Sequence, residues 1–97
     1  MIPATSPALS EAAVPAFMRG TRLSHDRVRD QWVVLAPEKA FLPDPVALAV
    51  LRLVDGRQTL AAIIDALAAR FAAPRETIAA DVLELVADLI VRRVLRT

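Results

Sequence analysis

His25 and Asp26 are adjacent, and Asp81, Glu84 and Asp88 follow one another at helical spacing; residue type and spacing first suggest chemistry at these positions. A histidine beside a carboxylate is a candidate acid–base pair, because imidazole titrates near neutrality. Glu84 and Asp88 stand one helical turn apart, the spacing of a carboxylate pair. Neither set gathers the rest of a site. His25 is the single histidine of the chain, and there is no cysteine. A Ser-His-Asp triad, a His-based metal site, a thiolate nucleophile and a cysteine-ligated metal therefore all lack their parts. Asp88 and Arg92 make an ordinary i, i+4 ion pair, the plain reading of a solvated helix face. What remains is a domain without catalysis or cofactor, one that captures another polypeptide.

The 97 residues suffice for one core, and the 56% hydrophobic content supports one. A net charge of +1 draws the chain neither to nucleic acid nor to anionic lipid. The longest apolar run in the helical region, residues 46–51, is far short of the roughly 20 residues that span a bilayer. No basic stretch precedes the first apolar residues, so no signal peptide is read. Absence of cysteine suits a reducing cytoplasm.

Residues 1–18, punctuated by Pro3, Pro7 and Pro15, are expected to be a tail, disordered or ordered by a partner, with Val14, Phe17 and Met18 as its packing side chains. Residues 19–97 are expected to form the domain. Thr21 to Ser24 reads as a short strand. Trp32 to Leu35 reads as a buried strand with Trp32 a core anchor. Pro37-Glu38 turns the chain into a third strand, Lys39 to Leu42, bounded by Pro43 and suited to a sheet edge. Asp44 caps a helix whose first residue is Pro45 and which runs to Val54, closed by a left-handed Gly56. Thr59 caps a second helix, with Leu60, Ile63, Ile64, Leu67 and Phe71 on its apolar stripe. Pro74 opens a third, which runs to Arg92 or Arg93. Residues 94–97 fray or add a strand. The class is α+β: a winged-helix-like arrangement of a three-stranded antiparallel N-terminal sheet followed by a three-helix bundle.

On the third helix Thr77, Asp81, Glu84, Asp88 and Arg92 share one stripe, and nearly everything else is apolar. Leu83, Leu85, Leu89 and Ile90 cannot all face one small core, because a surface helix needs an apolar arc of only about 100°. Either the chain wraps the helix on two sides, or one flank lines a groove or a subunit interface. The carboxylates on this helix repel phosphate, which argues against a DNA-reading winged helix. Arg19, Arg22, Arg27 and Arg29 cluster upstream, but Asp26 and Asp30 dilute them. The edge strand at Lys39–Leu42 is either merely short and guarded by its prolines, or free to pair with an extended peptide.

The run Arg19-Gly20-Thr21-Arg22-Leu23, then Asp26-Arg27-Val28-Arg29, then Gln31-Trp32-Val33-Val34-Leu35-Ala36-Pro37-Glu38 closely resembles the PqqD family of pyrroloquinoline quinone biosynthesis. Ala47, Val50-Leu51, Asp55-Gly56, Leu67-Ala68, Phe71, Ile78 and Asp81-Val82 match its helical half, so the likeness covers residues 18–96. It departs in two places. Arg93 or Val94 stands where a glycine often follows the last helix, and residues 41–45 are proline-richer, which shortens the pairing edge by one donor. The resemblance implies a peptide chaperone and precursor-recognition domain. Such a protein binds the ribosomal precursor peptide PqqA and presents it to the radical-SAM enzyme PqqE, taking the peptide as an added strand between the third strand and the third helix. Lys39, Ala40, Phe41 and Leu42 would form the antiparallel pairing edge, with Lys39 meeting acidic side chains. Val82, Leu85, Val86 and Leu89 would form the apolar floor. A homodimer burying the same flank is the alternative.

Overall fold

Alternation along the β-branched run decides where the sheet meets the core. The computed structural model describes residues 9–97. In chain order its elements are β1 (Ala16–Phe17), β2 (Arg22–Asp26), β3 (Gln31–Ala36), β4 (Lys39–Phe41), α1 (Pro45–Leu51), α2 (Leu60–Phe71), α3 (Arg75–Val91) and β5 (Leu95–Arg96). The fold is the expected α+β arrangement, an antiparallel sheet β2-β3-β4 followed by three helices, and β1 and β5 add a second, two-stranded sheet. Side chains two apart share a sheet face. Trp32, Val34 and Ala36 therefore lie on one face with their cross-strand partners His25 and Leu23 on β2 and Phe41 and Lys39 on β4. Val34, fully buried, is the anchor of that face. Trp32 is only half-buried; the Arg52 guanidinium lies 5.0 Å from its ring centre and the His25 ring 4.8 Å away. The core-anchor role expected of Trp32 thus belongs to its neighbour two residues on.

The helices begin where their caps predict. Asp44 Oδ1 accepts the Ala47 N–H at 2.8 Å, with Pro45 at the first helical position. Thr59 Oγ1 accepts the Ala62 N–H at 3.2 Å. Their ends differ from expectation. Helix α1 stops at Leu51 with Arg52 as its cap, not at Val54. Gly56 does adopt φ +75°, but in the loop beyond. There Asp55 Oδ1 accepts the N–H groups of Arg57 and Gln58 at 2.8 and 2.9 Å. Those two donors, Gln58 first, hold the Asp55 carboxyl below its ordinary pKa. Leu60, Ile63, Ile64 and Leu67 of α2 are buried as the period requires, whereas Phe71 is 53% exposed. Helix α3 buries Ala79, Val82, Val86 and Leu89 and leaves Leu83, Leu85 and Ile90 half-buried at the margin of the core. One stripe with two half-covered flanks answers the question its wide apolar arc posed.

Helix α3 ends in a Schellman turn. Arg93 N–H reaches Ile90 O at 3.0 Å and Val94 N–H reaches Leu89 O at 2.8 Å. Arg93 holds φ +63°, the left-handed position a glycine would favour. The chain then runs into β5, with Val94 and Leu95 buried.

The tail expected over residues 1–18 is corrected for residues 9–18; Pro3 and Pro7 lie outside the described residues. Ala16 pairs with Arg96 and Phe17 with Leu95, and Met18 N–H donates to Val94 O at 3.0 Å. Pro15 is fully buried, and Leu9 and Ala13 pack on the core. The first N–H groups of a helix have no partner within it. Here Leu60 N–H donates to Ala13 O and Ala61 N–H to Glu11 O, both at 2.9 Å. Arg75 at the start of α3 binds Glu11 and Asp65, each at 2.6 Å. The Glu11 carboxylate, then that of Asp65, holds the Arg75 guanidinium above its ordinary pKa. Backbone pairing and this ion cluster attach a segment that carries no periodic pattern of its own.

Candidate functional site

Among the described residues the outer edge of β4 is unpaired, because β4 closes one side of the order β2-β3-β4. Ala36 pairs with Lys39 across the two-residue Pro37-Glu38 turn, Leu35 with Ala40, and Val34 with Phe41. In an antiparallel hairpin the turn-closing pair exchanges hydrogen bonds and the next pair does not. Ala40 therefore directs its N–H and C=O outward, to the open edge. Lys39 and Ala40 are exposed, Leu42 is 61% exposed and Phe41 is half-buried.

Two contacts tie this edge to the end of α3. Lys39 Nζ donates to Arg92 O at 3.0 Å, and the Arg92 guanidinium lies 5.0 Å from the Phe41 ring centre. A lysine on a C-terminal carbonyl also complements the helix dipole. From there the strand leads through Pro43 into α1, which lies alongside the middle of α3. Val46 shares a surface depression with Asp81, Glu84, Leu85 and Asp88. The contact of β4 with Arg92 and the depression between Val46 and α3 together outline a candidate groove along α3.

The eight residues singled out in the sequence separate within this groove. Lys39, Ala40, Phe41 and Leu42 form the edge. Leu85 stands half-buried on the α3 wall. Val82, Val86 and Leu89 belong to the core, at 3%, 0% and 1% exposure. They support Leu85 from beneath and do not present a free floor. Lys39 is engaged with Arg92, so an acidic partner would compete with a backbone carbonyl.

Sequence reading missed a second feature. A cavity of about 280 Å³ opens between the start of α1, the end of α2 and the first half of α3, lined by Val46, Ala49, Phe71, Ile78 and Val82 among others. Asp81 is at its edge. The carboxylate row read as a plain solvated face therefore borders apolar surface. The signal available was Phe71: an aromatic residue on an apolar stripe near a helix end either enters the core or guards an opening.

His25 Nε2 meets Asp30 Oδ1 at 3.0 Å, with its ring against Trp32; the neighbouring Asp26 instead accepts the Val28 N–H at 3.0 Å. The adjacent His25-Asp26 pair thus has its functions divided between a turn and an aromatic stack. Among the described residues, no group of three or more His, Asp or Glu is placed to hold a metal ion. No helix among them is long and apolar enough to cross a membrane.

Comparison with known proteins bears on the same region. The family model for Coenzyme PQQ synthesis protein D (PqqD) matches residues 31–95. The PqqA binding protein of Gluconobacter oxydans is 52% identical over 89 residues, covering 92% of this chain and 93% of that one. The PqqA binding protein of Xanthomonas campestris pv. campestris is 48% identical over 88 residues, covering 91% and 96%. Among solved structures, the solution NMR structure of the PqqD truncation of Methylobacterium extorquens PqqCD superposes with a TM-score of 0.77 at 44% identity, covering 93% of this chain and 96% of that one. That protein is a functional, stand-alone recognition element for ribosomally synthesised and post-translationally modified peptides. The crystal structure of PqqD from Xanthomonas campestris gives a TM-score of 0.57 at 48% identity, covering 91% and 98%. With the family model matched over residues 31–95 and relatives 48–52% identical that align with more than nine-tenths of its length, the chain belongs to the PqqD family.

Proposed function

We propose that this chain binds the precursor peptide PqqA by strand addition to β4 and presents it to the radical-SAM enzyme PqqE, in the cytoplasm and without catalysing a step itself. The observation that carries the reading is the open edge at Ala40 on a strand tied to α3 through Arg92, with the half-buried Leu85 about two turns earlier on the same helix. The edge offers main-chain donors and acceptors that fix register, and the helix flank offers apolar surface that rewards docking. Relatives named PqqA binding protein and the PqqD recognition-element structure support the peptide-binding part of this reading. Two main-chain hydrogen bonds at Ala40 contribute about 0.5–1.5 kcal/mol each. Covering Leu85 adds up to about 1.5–3 kcal/mol.

The test separates these two contributions. Ala40→Pro removes the outward N–H while leaving the pairing with β3 intact, since proline is tolerated on an open edge. Leu85→Asp places a charge on the apolar wall without entering the core. Both variants are expected to melt as cooperatively as the parent and to lose at least tenfold in affinity for PqqA by calorimetry. Retained affinity in either would remove the groove assignment.

A further inference from the structure

The groove is not uniform along its length. At one end, where β4 begins, stand Lys39 and Arg92. In the middle, the α3 wall carries Asp81, Glu84 and Asp88 around Leu85. Asp88 lies 3.5 Å from Arg92, whereas Asp81 and Glu84 make no ion pair among the described residues. The opposite wall there is Val46, which carries no charge, and the nearby Asp44 carboxylate is spent on its cap. At the far end lies the helix cavity, with Val46 and Phe71 leaving 61% and 53% of their surface open. The two depressions share Val46 and Asp81, so cavity and carboxylate row form one path.

This order has a direction. A peptide antiparallel to β4 runs from the α1 side toward Lys39, so its N-terminal part passes the cavity first. We propose that the groove reads a peptide in a fixed order: a bulky apolar side chain seated in the cavity between the helices, then a lysine or arginine over Asp81 and Glu84, then the segment that pairs with β4. The inference rests on the strand-addition reading and names what the peptide must carry beyond the strand. From Ile78 to Arg92 the path follows α3 for about 21 Å at 1.5 Å per residue. An extended peptide covers that in about six residues at 3.3 Å each.

Charge decides between occupants. A second copy docked on this face about a two-fold axis would bring the two carboxylate rows together. A nucleic acid would meet like charge along the whole middle of the groove. A cationic peptide with an apolar anchor meets opposite charge and covers Val46 and Phe71.

The experiment titrates the full chain with intact PqqA and with PqqA shortened stepwise from its N-terminal end, by calorimetry at two salt concentrations. The proteins are the parent, the double variant Asp81→Lys/Glu84→Lys, the double variant Val46→Asp/Phe71→Gln, and Ala40→Pro. All the altered side chains are exposed, and thermal melts confirm that each variant folds. Both double variants are expected to bind intact PqqA at least fivefold more weakly. The parent's affinity should fall with salt more steeply than that of the charge-reversed protein. Shortening the peptide should bring the parent down to the same level and abolish the difference between parent and double variants. Should both double variants bind like the parent while Ala40→Pro has lost binding, the order of recognition is wrong and strand addition stands. An Ala40→Pro variant that binds normally overturns the reading beneath it, and this inference with it.

Discussion

Gly20 and Arg93 occupy the same sparsely populated region of backbone space, at φ +81° and +63°. At Gly20 the residue fits: a Cβ there would meet Pro37 Cγ at 3.2 Å, so an alanine would be strained in its backbone and pressed against the turn that sets β4. Gly20→Ala is expected to lower stability by about 1–2 kcal/mol, the cost of the left-handed conformation for an L-residue. At Arg93 the residue does not fit, and the Schellman turn is held although a side chain opposes it. Arg93→Gly relieves about 1–2 kcal/mol, partly offset by the larger entropy of an unfolded glycine, about 0.4–1 kcal/mol. The expected net gain is about 0.5 kcal/mol. Urea midpoints of the two variants, measured together, check both signs; a destabilised Arg93→Gly would mean that the arginine side chain makes a compensating contact.

At the scale of elements, Arg75 at the start of α3 fastens the segment before β1 to the middle of α2, through Glu11 and Asp65. Removing it in Arg75→Ala should speed amide exchange at Leu60 and Ala61, whose donors reach carbonyls of that segment, and leave exchange in β3 unchanged. Unaltered exchange at those two amides would mean that the backbone bonds hold without the ion cluster. What is legible in the sequence is what has a local cause. Strand β3 and the starts of α1 and α2 announce themselves because their causes are local: a β-branched run, Asp44 with Pro45, and Thr59. The end of α1 is not legible in the same way, because Asp55-Gly56 signals a left-handed turn but not which turn. Phe71 shares the period of its buried neighbours, and period gives direction but not how far the covering partner extends. Val82, Val86 and Leu89 share α3's apolar arc with Leu85, and only the packing of α2 and the sheet separates core from wall. The placement of Asp81 beside an apolar cavity depends on α1, some thirty residues earlier, which no local pattern carries.

For the whole molecule, residues 9–18 complete the core. Removing residues 1–18 would expose Val94 and Leu95, undo the pairing with β5 and strip two N–H acceptors from α2. Two apolar side chains at about 1.5–3 kcal/mol each and several hydrogen bonds at about 1 kcal/mol put the loss on the order of 5 kcal/mol or more. That is a large share of what a domain of this size has to lose. The shortened protein is expected to unfold at much lower temperature or to lose its cooperative transition by calorimetry. A melt within a few degrees of the parent would show that the β1–β5 sheet is an ornament on a core already complete.

The pairing of Ala16 with Arg96 also acts as a clock during synthesis. The partners are about 80 positions apart, and a ribosome adds about 5–20 residues per second. Ala16 therefore waits roughly 4–16 s before the strand it needs has been made. Through that interval β1 has no β5 to pair with, and its main-chain donors and acceptors stay open. The protein's exposure to aggregation and proteolysis is set less by the finished fold than by those seconds, which faster translation of the α3 codons would shorten.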